Sequence, residues 1–394
     1  YNKSFKVIGN MSEEHNEKLN MIQQEIASAI EVLPKYYWFA VFSQLLSRLP
    51  STKGKTTELI IRVCAVLLQY YPQQLIWAIF AQSNSEDKAV RANIAKKIIT
   101  RFVKSECKLT RYESNRVIFS AALKFLQTFY KMAKVNKNKN VAECSLENDF
   151  GFDHTVLPAP VVVPTKENFD ILSSTCPLEA GNDSITIVRF DDYVKVMPSL
   201  QRPRRIKMTG SDGKHYLILF KLNDDLRKDA KLMELTGMIH HLLLNNYEPK
   251  KRKLQIKTFA VVPLNELYGI IEWVPHHATV RSIIDQKYLR RDSLNTIRKK
   301  WEQMTTLPQK IAHFKYLTNY FEPVLYKWFI EFFPTPDSWY NSRNSFARSS
   351  AVMSMVGFVL GIGDRHFENI LISETNGSVL HVDFDCLFEK GTTL

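Results

Sequence analysis

The amino-acid sequence predicts an α+β protein in which an all-α helical solenoid precedes a two-lobed domain with a strand-rich first lobe and a helical second lobe. Residues 11–134 repeat apolar side chains at helical spacing and show almost no strand pattern. From residue 184 the pattern changes to short strand-like runs, and residues 278–360 return mostly to helical spacing. These changes of periodicity define the predicted fold class.

The composition indicates a folded, intracellular protein. With 394 residues, 45% of them apolar and 12% aromatic, the chain is long enough for two or three domains with real cores. The five cysteines are widely spaced and form no CxxC pair, which favours a reducing compartment over a disulfide framework or zinc site. The longest uncharged apolar run, residues 351–363, is too short to span a bilayer, so we expect a soluble protein without membrane association.

The formal net charge is +13, and basic residues cluster at 202–207, 250–253 and 298–300. A positive field favours polyanions such as nucleotides, nucleic acid or acidic partners. The clusters are not interleaved with aromatic residues, as stacking platforms for nucleic acid would be. The sequence therefore disfavours direct nucleic-acid binding by this chain.

The first 135 residues are predicted to form the helical solenoid. Apolar residues recur at i, i+1, i+4, i+7 and i+8 in residues 59–67 and again in residues 122–130, although no strict repeat period is present. Paired amphipathic helices of this kind bury their apolar faces against their neighbours. Residues 136–165 are predicted to be a linker, because a polar stretch is followed by closely spaced prolines that exclude helix.

Residues 166–272 are predicted to form the first lobe. The strand HYLILFK ends at Lys221 and is followed at once by DDLRKD, which predicts an acidic helix start at Asp224. A strand-end lysine can reach nucleotide phosphates, and a carboxylate from the next helix can hold its ammonium in position. The strands of this lobe are expected at 185–190, 193–197, 204–208, 215–221, 257–262 and 268–273.

Two connections in this lobe are suited to binding. No GxGxxG occurs, but residues 196–202 (VMPSLQR) link two predicted strands. There Ser199 could offer a hydroxyl and a backbone N–H to phosphates, and Arg202 could add positive charge. The last strand exits through Glu272-Trp273-Val274-Pro275, whose proline and aromatic residue suit a hinge, so residues 273–394 would form the hinge and second lobe.

The residues on which the functional prediction depends lie in segment 361–388. Asp364 is followed five residues later by Asn369, and Asp383 comes after a predicted hairpin whose turn contains Asn-Gly. Such a hairpin would bring Asp383 back beside Asn369. An amide oxygen and a carboxylate at a strand end can hold Mg²⁺, which takes oxygen ligands and keeps waters and substrate phosphates. The pattern is typical of a phosphotransferase.

The same segment resembles the phosphatidylinositol-3-kinase-related kinases (PIKK). Ordinary protein kinases combine HRDxxxxN with DFG. Here the interval from Asp to Asn is kept, but His366 follows the aspartate and gives DRHxxN, as in this family and its lipid-kinase cousins. The segments WYNSR (339–343), RSSAVMSMVG (348–357) and HVDFDCLFEKG (381–391) are most similar to ATR-type checkpoint kinases, and YPQQLIW (71–77) resembles the end of their FAT region. The resemblance implies a bilobal PI3K/PIKK-like kinase domain that uses ATP.

The resemblance also implies roles for the residues of the second lobe. Asp364 would orient the acceptor hydroxyl and take its proton, and His366 would donate to the transferring phosphoryl group. Asn369 and Asp383 would carry Mg²⁺, with Mn²⁺ as an alternative metal.

In the first lobe, the resemblance implies that Lys221, Ser199 and Arg202 contact the phosphates. Asp224 and Asp229 match acidic positions directed into the nucleotide site, and we expect Asp229 to be the main support. At the hinge, backbone groups of Glu272 and Val274 would pair with the edge of adenine while Trp273 packs against its face.

By resemblance, the protein is expected in the nucleus, in DNA-damage and replication-stress checkpoint signalling, with Ser or Thr followed by Gln as its targets. An ATRIP-type regulatory subunit, indirect recruitment to coated single-stranded DNA and a dimer of heterodimers are further expectations. A phosphoinositide kinase shares DRHxxN and is the runner-up. A non-catalytic scaffold with a kinase-like fold is the third alternative, and the presence of Lys221, Asp364 and Asp383 counts against it.

Two departures from the family pattern are apparent. Asp385 replaces the glycine of DFG, so inferences from DFG flipping do not transfer. The chain is also expected to begin partway through a larger polypeptide and to stop, at Leu394, inside the activation segment. The remaining C-terminal helices and the FATC tail would then lie outside it.

Overall fold

The computed structural model of the chain describes residues 13–49, 54–83, 89–104, 115–134, 142–154, 161–169, 185–198, 201–288, 294–384 and 386–388. The chain divides into two compact units, the first drawn from residues 1–230 and 259–273 and the second from residues 231–258 and 274–394. The helical segment and the strands of the expected first lobe thus share one unit, whereas residues 231–258 belong to the other.

The helices of the described residues are α1 (Glu13–Val32), α2 (Lys35–Ala40), α3 (Phe42–Arg48), α4 (Lys55–Tyr70), α5 (Pro72–Ser83), α6 (Ala89–Lys104), α7 (Asn115–Lys134), α8 (Leu146–Phe150), α9 (Lys166–Phe169), α10 (Arg227–Asn245), α11 (Tyr247–Lys251), α12 (Val280–Lys287), α13 (Leu294–Glu302), α14 (Leu307–Tyr320), α15 (Leu325–Phe332) and α16 (Pro336–Val359). The strands are β1 (Glu143–Ser145), β2 (Ile187–Phe190), β3 (Tyr193–Val196), β4 (Arg204–Gly210), β5 (His215–Leu222), β6 (Val261–Pro263), β7 (Tyr268–Glu272), β8 (His277–Thr279), β9 (Ile370–Ser373) and β10 (Val379–His381).

Helix α7 joins the helical segment of the first unit to its sheet. Its apolar stripe places the Phe125 ring 5.2 Å from that of Phe190 and the Phe129 ring 5.0 Å from that of Phe220. Where the helix ends, buried Arg204 donates a hydrogen bond to the Met132 carbonyl. One continuous core therefore runs from the helices into the sheet.

The sheet of the first unit is antiparallel and has the strand order β1-β3-β4-β5-β7-β6, with β2 also paired to β4. In its centre, Lys221 of β5 lies opposite Gly269 of β7. A Cβ atom on Gly269 would lie 2.8 Å from both a Leu226 methyl carbon and the Val262 carbonyl oxygen. The close approach at this position therefore requires glycine.

The stretch expected to be a linker contains secondary structure. Strand β1 pairs with β3, so that Glu143 lies opposite Lys195. Helix α8 follows, and its N-cap residue Ser145 hydrogen-bonds both Asn148 N–H and the Asp192 carboxylate. A three-residue strand carries no periodic signal, and its stability comes from an edge about fifty residues away, which is why composition alone predicts a linker here.

Two element boundaries also differ from the predictions. Helix α10 begins at Arg227 and not at Asp224, because Asn223 adopts a positive φ of 54° and the chain turns before the helix starts. Strand β6 covers Val261–Pro263 only. The preceding Ala260 donates its N–H to the carboxylate of Glu272 and not to a backbone carbonyl, so only its own carbonyl continues the backbone pairing.

The second unit is built around a three-stranded antiparallel sheet of order β10-β9-β8. Helices α12, α15 and α16 pack on it around Ile283, Phe329 and Ile372. Residues 334–340 (PTPDSWY) lead into α16, in which Pro336 occupies the first turn and Thr335 and Ser338 form a capping box. No helix in the described residues combines the length and apolarity needed to cross a membrane.

Candidate active site

In the second unit, the loop that carries Asp364 begins where α16 ends. Gly361 has a φ of +55°, and a Cβ atom there would lie 2.9 Å from the Cα atom of Phe388. Two residues on, the Gly363 N–H donates to the Cys386 carbonyl at 2.8 Å. Glycine thus ends the helix and allows the two loops of this region to lie against each other.

The predicted hairpin is present and closes the other side of this region. Strands β9 and β10 pair with Ile370 opposite His381. In the turn, Gly377 has a φ of +71°, and a Cβ atom there would meet the Ser342 carbonyl oxygen at 2.7 Å. Strand β8, which was not predicted from the sequence, pairs with the outer edge of β9.

The hairpin returns the chain to the residues of the DRHxxN motif. The Val382 N–H donates to the Asn369 carbonyl at 3.0 Å, and Asp383 is the next residue. The Asn369 side-chain amide donates to the Asp364 carbonyl at 3.1 Å. The structure therefore brings together the backbone segments that carry Asp364, Asn369 and Asp383, as the sequence analysis expected.

Asp364 and Asp383 both adopt left-handed backbone conformations, with φ of 54° and 59°. Aspartate tolerates this region better than most residues, yet it costs free energy and is found most often at turns and functional sites. The side chains of Asp364 and His366 are each 49% exposed, and His366 Nε2 lies 3.8 Å from Asp364 Oδ2. An acid and an imidazole thus stand side by side and open to solvent.

The donor set at this place fits a divalent metal ion. Asn369 is 6% exposed. Its Nδ2 donates to the Asp364 carbonyl, and its Oδ1 is the amide atom with lone pairs that a metal ion can use. The Asp383 side chain is exposed and can offer carboxylate oxygens. The described residues contain no group of three or more His, Cys, Asp or Glu that would form a metal cage. Two oxygen ligands suit Mg²⁺, which retains waters and substrate phosphates in its coordination shell.

Arg365, which the sequence analysis did not single out, links the two loops. Its Nε donates to the Gly363 carbonyl at 2.8 Å, and its Nη1 donates to the Val382 carbonyl at 2.8 Å. Its Nη2 donates to the Asp383 carbonyl. Burial, and then the Arg365 charge, lower the pKa of His381 to about 4, so this imidazole is neutral near pH 7. Every residue has a backbone carbonyl, so the residue types at the accepting positions do not indicate these hydrogen bonds. The sequence therefore could not reveal this link.

In the first unit, Lys221 is paired with Asp224. Lys221 Nζ lies 2.9 Å from Asp224 Oδ2, and the two side chains are 17% and 14% exposed. The Asp224 N–H donates to the Leu267 carbonyl at 3.1 Å, which fixes the turn that returns its carboxylate to the strand. Asp229, expected to be the main support, is buried in the first turn of α10 at 4% exposure.

The predicted phosphate loop lies between β3 and β4. The Met197 N–H donates to the Pro203 carbonyl at 2.9 Å, which closes the base of the loop. Arg202 has a positive φ of 48° and is partly buried. Ser199 lies outside the described residues.

The predicted hinge lies where the chain passes from the first unit to the second, between Trp273 and Val274. The Glu272 N–H donates to the Ala260 carbonyl at 2.9 Å. Of the backbone groups of Glu272, only the carbonyl could therefore hydrogen-bond to adenine. The Glu272 carboxylate accepts the N–H groups of Lys166 and Ala260, both at 2.8 Å.

The Trp273 N–H is likewise engaged, since it donates to the Leu217 carbonyl at 3.0 Å. The Arg205 guanidinium carbon lies 5.4 Å from the centroid of the Trp273 ring. That stacking contact holds the indole in position.

Comparison with known families agrees with this fold. Residues 215–394 match the family of phosphatidylinositol 3- and 4-kinases, and residues 21–123 match the HEAT repeats of ATR-like serine/threonine-protein kinases. A structure of CtTel1 in its open conformation superimposes with a TM-score of 0.82 at 24% identity, over 97% of this chain and 15% of that one. The fold and site thus define a kinase domain of the phosphatidylinositol-kinase type that follows helical repeats.

Curated relatives identify the branch. The chain is 36% identical to the serine/threonine-protein kinase MEC1 of Candida albicans, over 98% of this chain and 17% of the relative. It is 33% identical to the protein kinase rad3 of Schizosaccharomyces pombe, over 95% of this chain and 16% of the relative. The chain belongs to the ATR-like members of the PIKK family, and it spans about one sixth of the length of these relatives.

Proposed function

We propose that this chain is the part of a serine/threonine protein kinase that binds ATP and transfers its γ-phosphoryl group to a protein hydroxyl. The observation that carries the proposal is the joining of the Asp364, Asn369 and Asp383 backbones through two hydrogen bonds, Val382 N–H to Asn369 and Asn369 Nδ2 to Asp364. Phosphoryl transfer uses a carboxylate that positions the acceptor and oxygen ligands that hold metal ions, and an imidazole beside them can donate to the developing negative charge.

In this mechanism Asp364 orients the acceptor hydroxyl and accepts its proton. The imidazole of His366, 3.8 Å from the Asp364 carboxylate, donates to the oxygens of the transferring phosphoryl group, where negative charge must be stabilised. Asn369 and Asp383 would hold Mg²⁺, or Mn²⁺ in its place, which neutralises phosphate charge when bound.

We assign nucleotide binding to residues of the first unit and to the start of the second. Lys221, held by Asp224, binds the phosphates together with Arg202 and Ser199. Asp229 supports this site from the first turn of α10. The Glu272 carbonyl and Val274 contact the edge of adenine, and Trp273 contacts its face.

The domain roles and the cellular setting form part of the same proposal. Residues 1–135 are assigned to the end of the helical FAT region, 136–165 to a connection, and 166–272 and 273–394 to the two kinase lobes. The names of the MEC1 and rad3 relatives support protein-kinase activity, and we propose that this activity serves checkpoint signalling. We infer a nuclear protein with Ser-Gln and Thr-Gln targets and an ATRIP-type partner that links it to coated single-stranded DNA, assembled as a dimer of heterodimers.

A radiolabelled-ATP assay on the full-length protein tests the proposal, with a Ser-Gln peptide and a phosphoinositide offered side by side. Label should enter the peptide only. Asp364→Asn should lower kcat about 10²- to 10⁴-fold and leave nucleotide affinity unchanged, since the residue acts on the proton and not on ATP. Asp337→Asn, an exposed acid at the start of α16, is the matched control. Label in the lipid alone, or full turnover by Asp364→Asn, would refute the assignment.

A further inference from the structure

Arg365 lies in the sequence between Asp364 and His366, which are proposed to act on the acceptor hydroxyl and on the phosphoryl group, but its guanidinium is engaged with the backbone. It donates to three carbonyl oxygens, those of Gly363, Val382 and Asp383. One acceptor belongs to the loop of Asp364, and the other two belong to the segment that carries Asp383. A single rigid, planar group therefore joins both loops.

The surroundings of Arg365 hold this group in place. Its guanidinium carbon lies 5.2 Å from the centroid of the Phe384 ring, and Phe384 is buried beneath it. Two backbone hydrogen bonds flank the contact, one between Gly363 and Cys386 and one between Val382 and Asn369. The arginine thus completes an array of hydrogen bonds that runs across the gap between the loops.

The backbone at both ends of this array adopts an unfavourable conformation, which would relax if these hydrogen bonds were lost. Asp364 and Asp383 occupy the left-handed region, with φ of 54° and 59°. Such conformations persist only where surrounding contacts hold them. The Arg365 bonds end on Asp383 itself and on Gly363, the residue directly before Asp364.

We propose that Arg365 is a positioning residue that fixes the spacing and backbone conformation of the Asp364 loop relative to the Asp383 loop, and thereby the geometry of the metal-binding pair Asn369 and Asp383. The inference rests on the proposed function for its kinetic part. Lysine keeps the charge but has no planar fork, so it cannot reproduce bonds to three carbonyls.

The test uses the full-length protein with Arg365→Met and Arg365→Lys. The matched control is Arg298→Met, because the Arg298 side chain is 80% exposed. Hydrogen–deuterium exchange is measured without nucleotide or metal at the amides of Gly363 and Val382. The exchange rates of both amides should be higher than in wild type in both Arg365 variants and equal to wild type in the control. Exchange at wild-type rates in both variants would overturn the proposal.

The kinetic readout is the free Mg²⁺ concentration for half-maximal activity, measured together with kcat and with KM for the peptide. Loss of a residue that orients metal ligands typically costs about 10- to 100-fold in metal affinity or activity. We expect a loss of that size in both variants with peptide KM unchanged, whereas full rescue by lysine would contradict the role of the fork. If wild-type protein transfers no phosphate, the proposed function fails, and the exchange measurement alone decides whether Arg365 holds the loops.

Discussion

Replacing Lys221 with methionine should weaken nucleotide binding about 10- to 100-fold, because one hydrogen bond between charged groups contributes about 1.5–3 kcal/mol. The same change removes the partner of Asp224. At 2.9 Å and an effective dielectric constant of about 20, the attraction between the two charges is about 6 kcal/mol before desolvation is subtracted. Desolvation of two side chains that are only 17% and 14% exposed offsets most of this attraction. The net local destabilisation should be about 1–3 kcal/mol.

A double-mutant cycle separates the two effects. Lys221→Met, Asp224→Asn and the double variant are compared by hydrogen exchange of the β5 amides and by titration with a fluorescent ATP analogue. The double variant should recover part of the stability lost in Lys221→Met, because residue 224 then carries no unpaired carboxylate. It should recover none of the nucleotide affinity.

Lys207 provides the matched control in the same sheet. It pairs with Asp191 at the same distance of 2.9 Å, but the side chains are 41% and 32% exposed. Lys207→Met should therefore cost less than about 1 kcal/mol and leave ATP binding unchanged. Wild-type nucleotide affinity in Lys221→Met would refute the phosphate contact, and additive effects in the cycle would refute the structural pairing.

Two further changes test other parts of the molecule. Glu272→Gln removes the negative charge that accepts two N–H groups, so the Lys166 and Ala260 amides should open about 1–2 kcal/mol more easily, and unchanged exchange there would exclude this role. His381→Asn tests the pH dependence of stability. The pKa of His381 is about 4 in the folded state and about 6.5 in the unfolded state, so between about pH 4 and pH 6.5 the unfolded chain binds a proton that the folded chain does not. Wild-type stability should fall, by at most about 3 kcal/mol, as pH drops from about 6.5 to about 4, and a slope that persists in thermal unfolding of the variant would contradict this source.

The sequence predicted those features that depend on local pattern. Helical spacing located α4 and α7, the apolar run HYLILFK located β5, and the Asn-Gly turn located the hairpin that returns Asp383 to Asn369. In each case the residues that specify the element lie within a few positions of one another. Local propensity and side-chain period then agree with the folded structure.

Features that depend on distant partners could not be predicted in this way. Strand β1 exists because β3 offers an edge to it. Asp224 contacts Lys221 across a turn in which Asn223 adopts a positive φ, and the sequence pattern alone does not specify that turn. The role of Asp229 as the main polar support of the nucleotide site stays a prediction. The carboxylate of Glu272 and the guanidinium of Arg365 bind backbone groups, whose positions only the folded chain defines.

The shared core of the first unit has a consequence for dissecting this protein. Phe129 packs on Phe220, and Phe220 belongs to β5, the strand that carries Lys221. A polypeptide shortened to start at residue 166 would leave this aromatic surface bare in water and would lose the carbonyl that Arg204 binds. Conversely, a displacement of α7 would act first on Phe220, the residue directly before Lys221, so the helices contact the strand that carries the lysine proposed to bind phosphates.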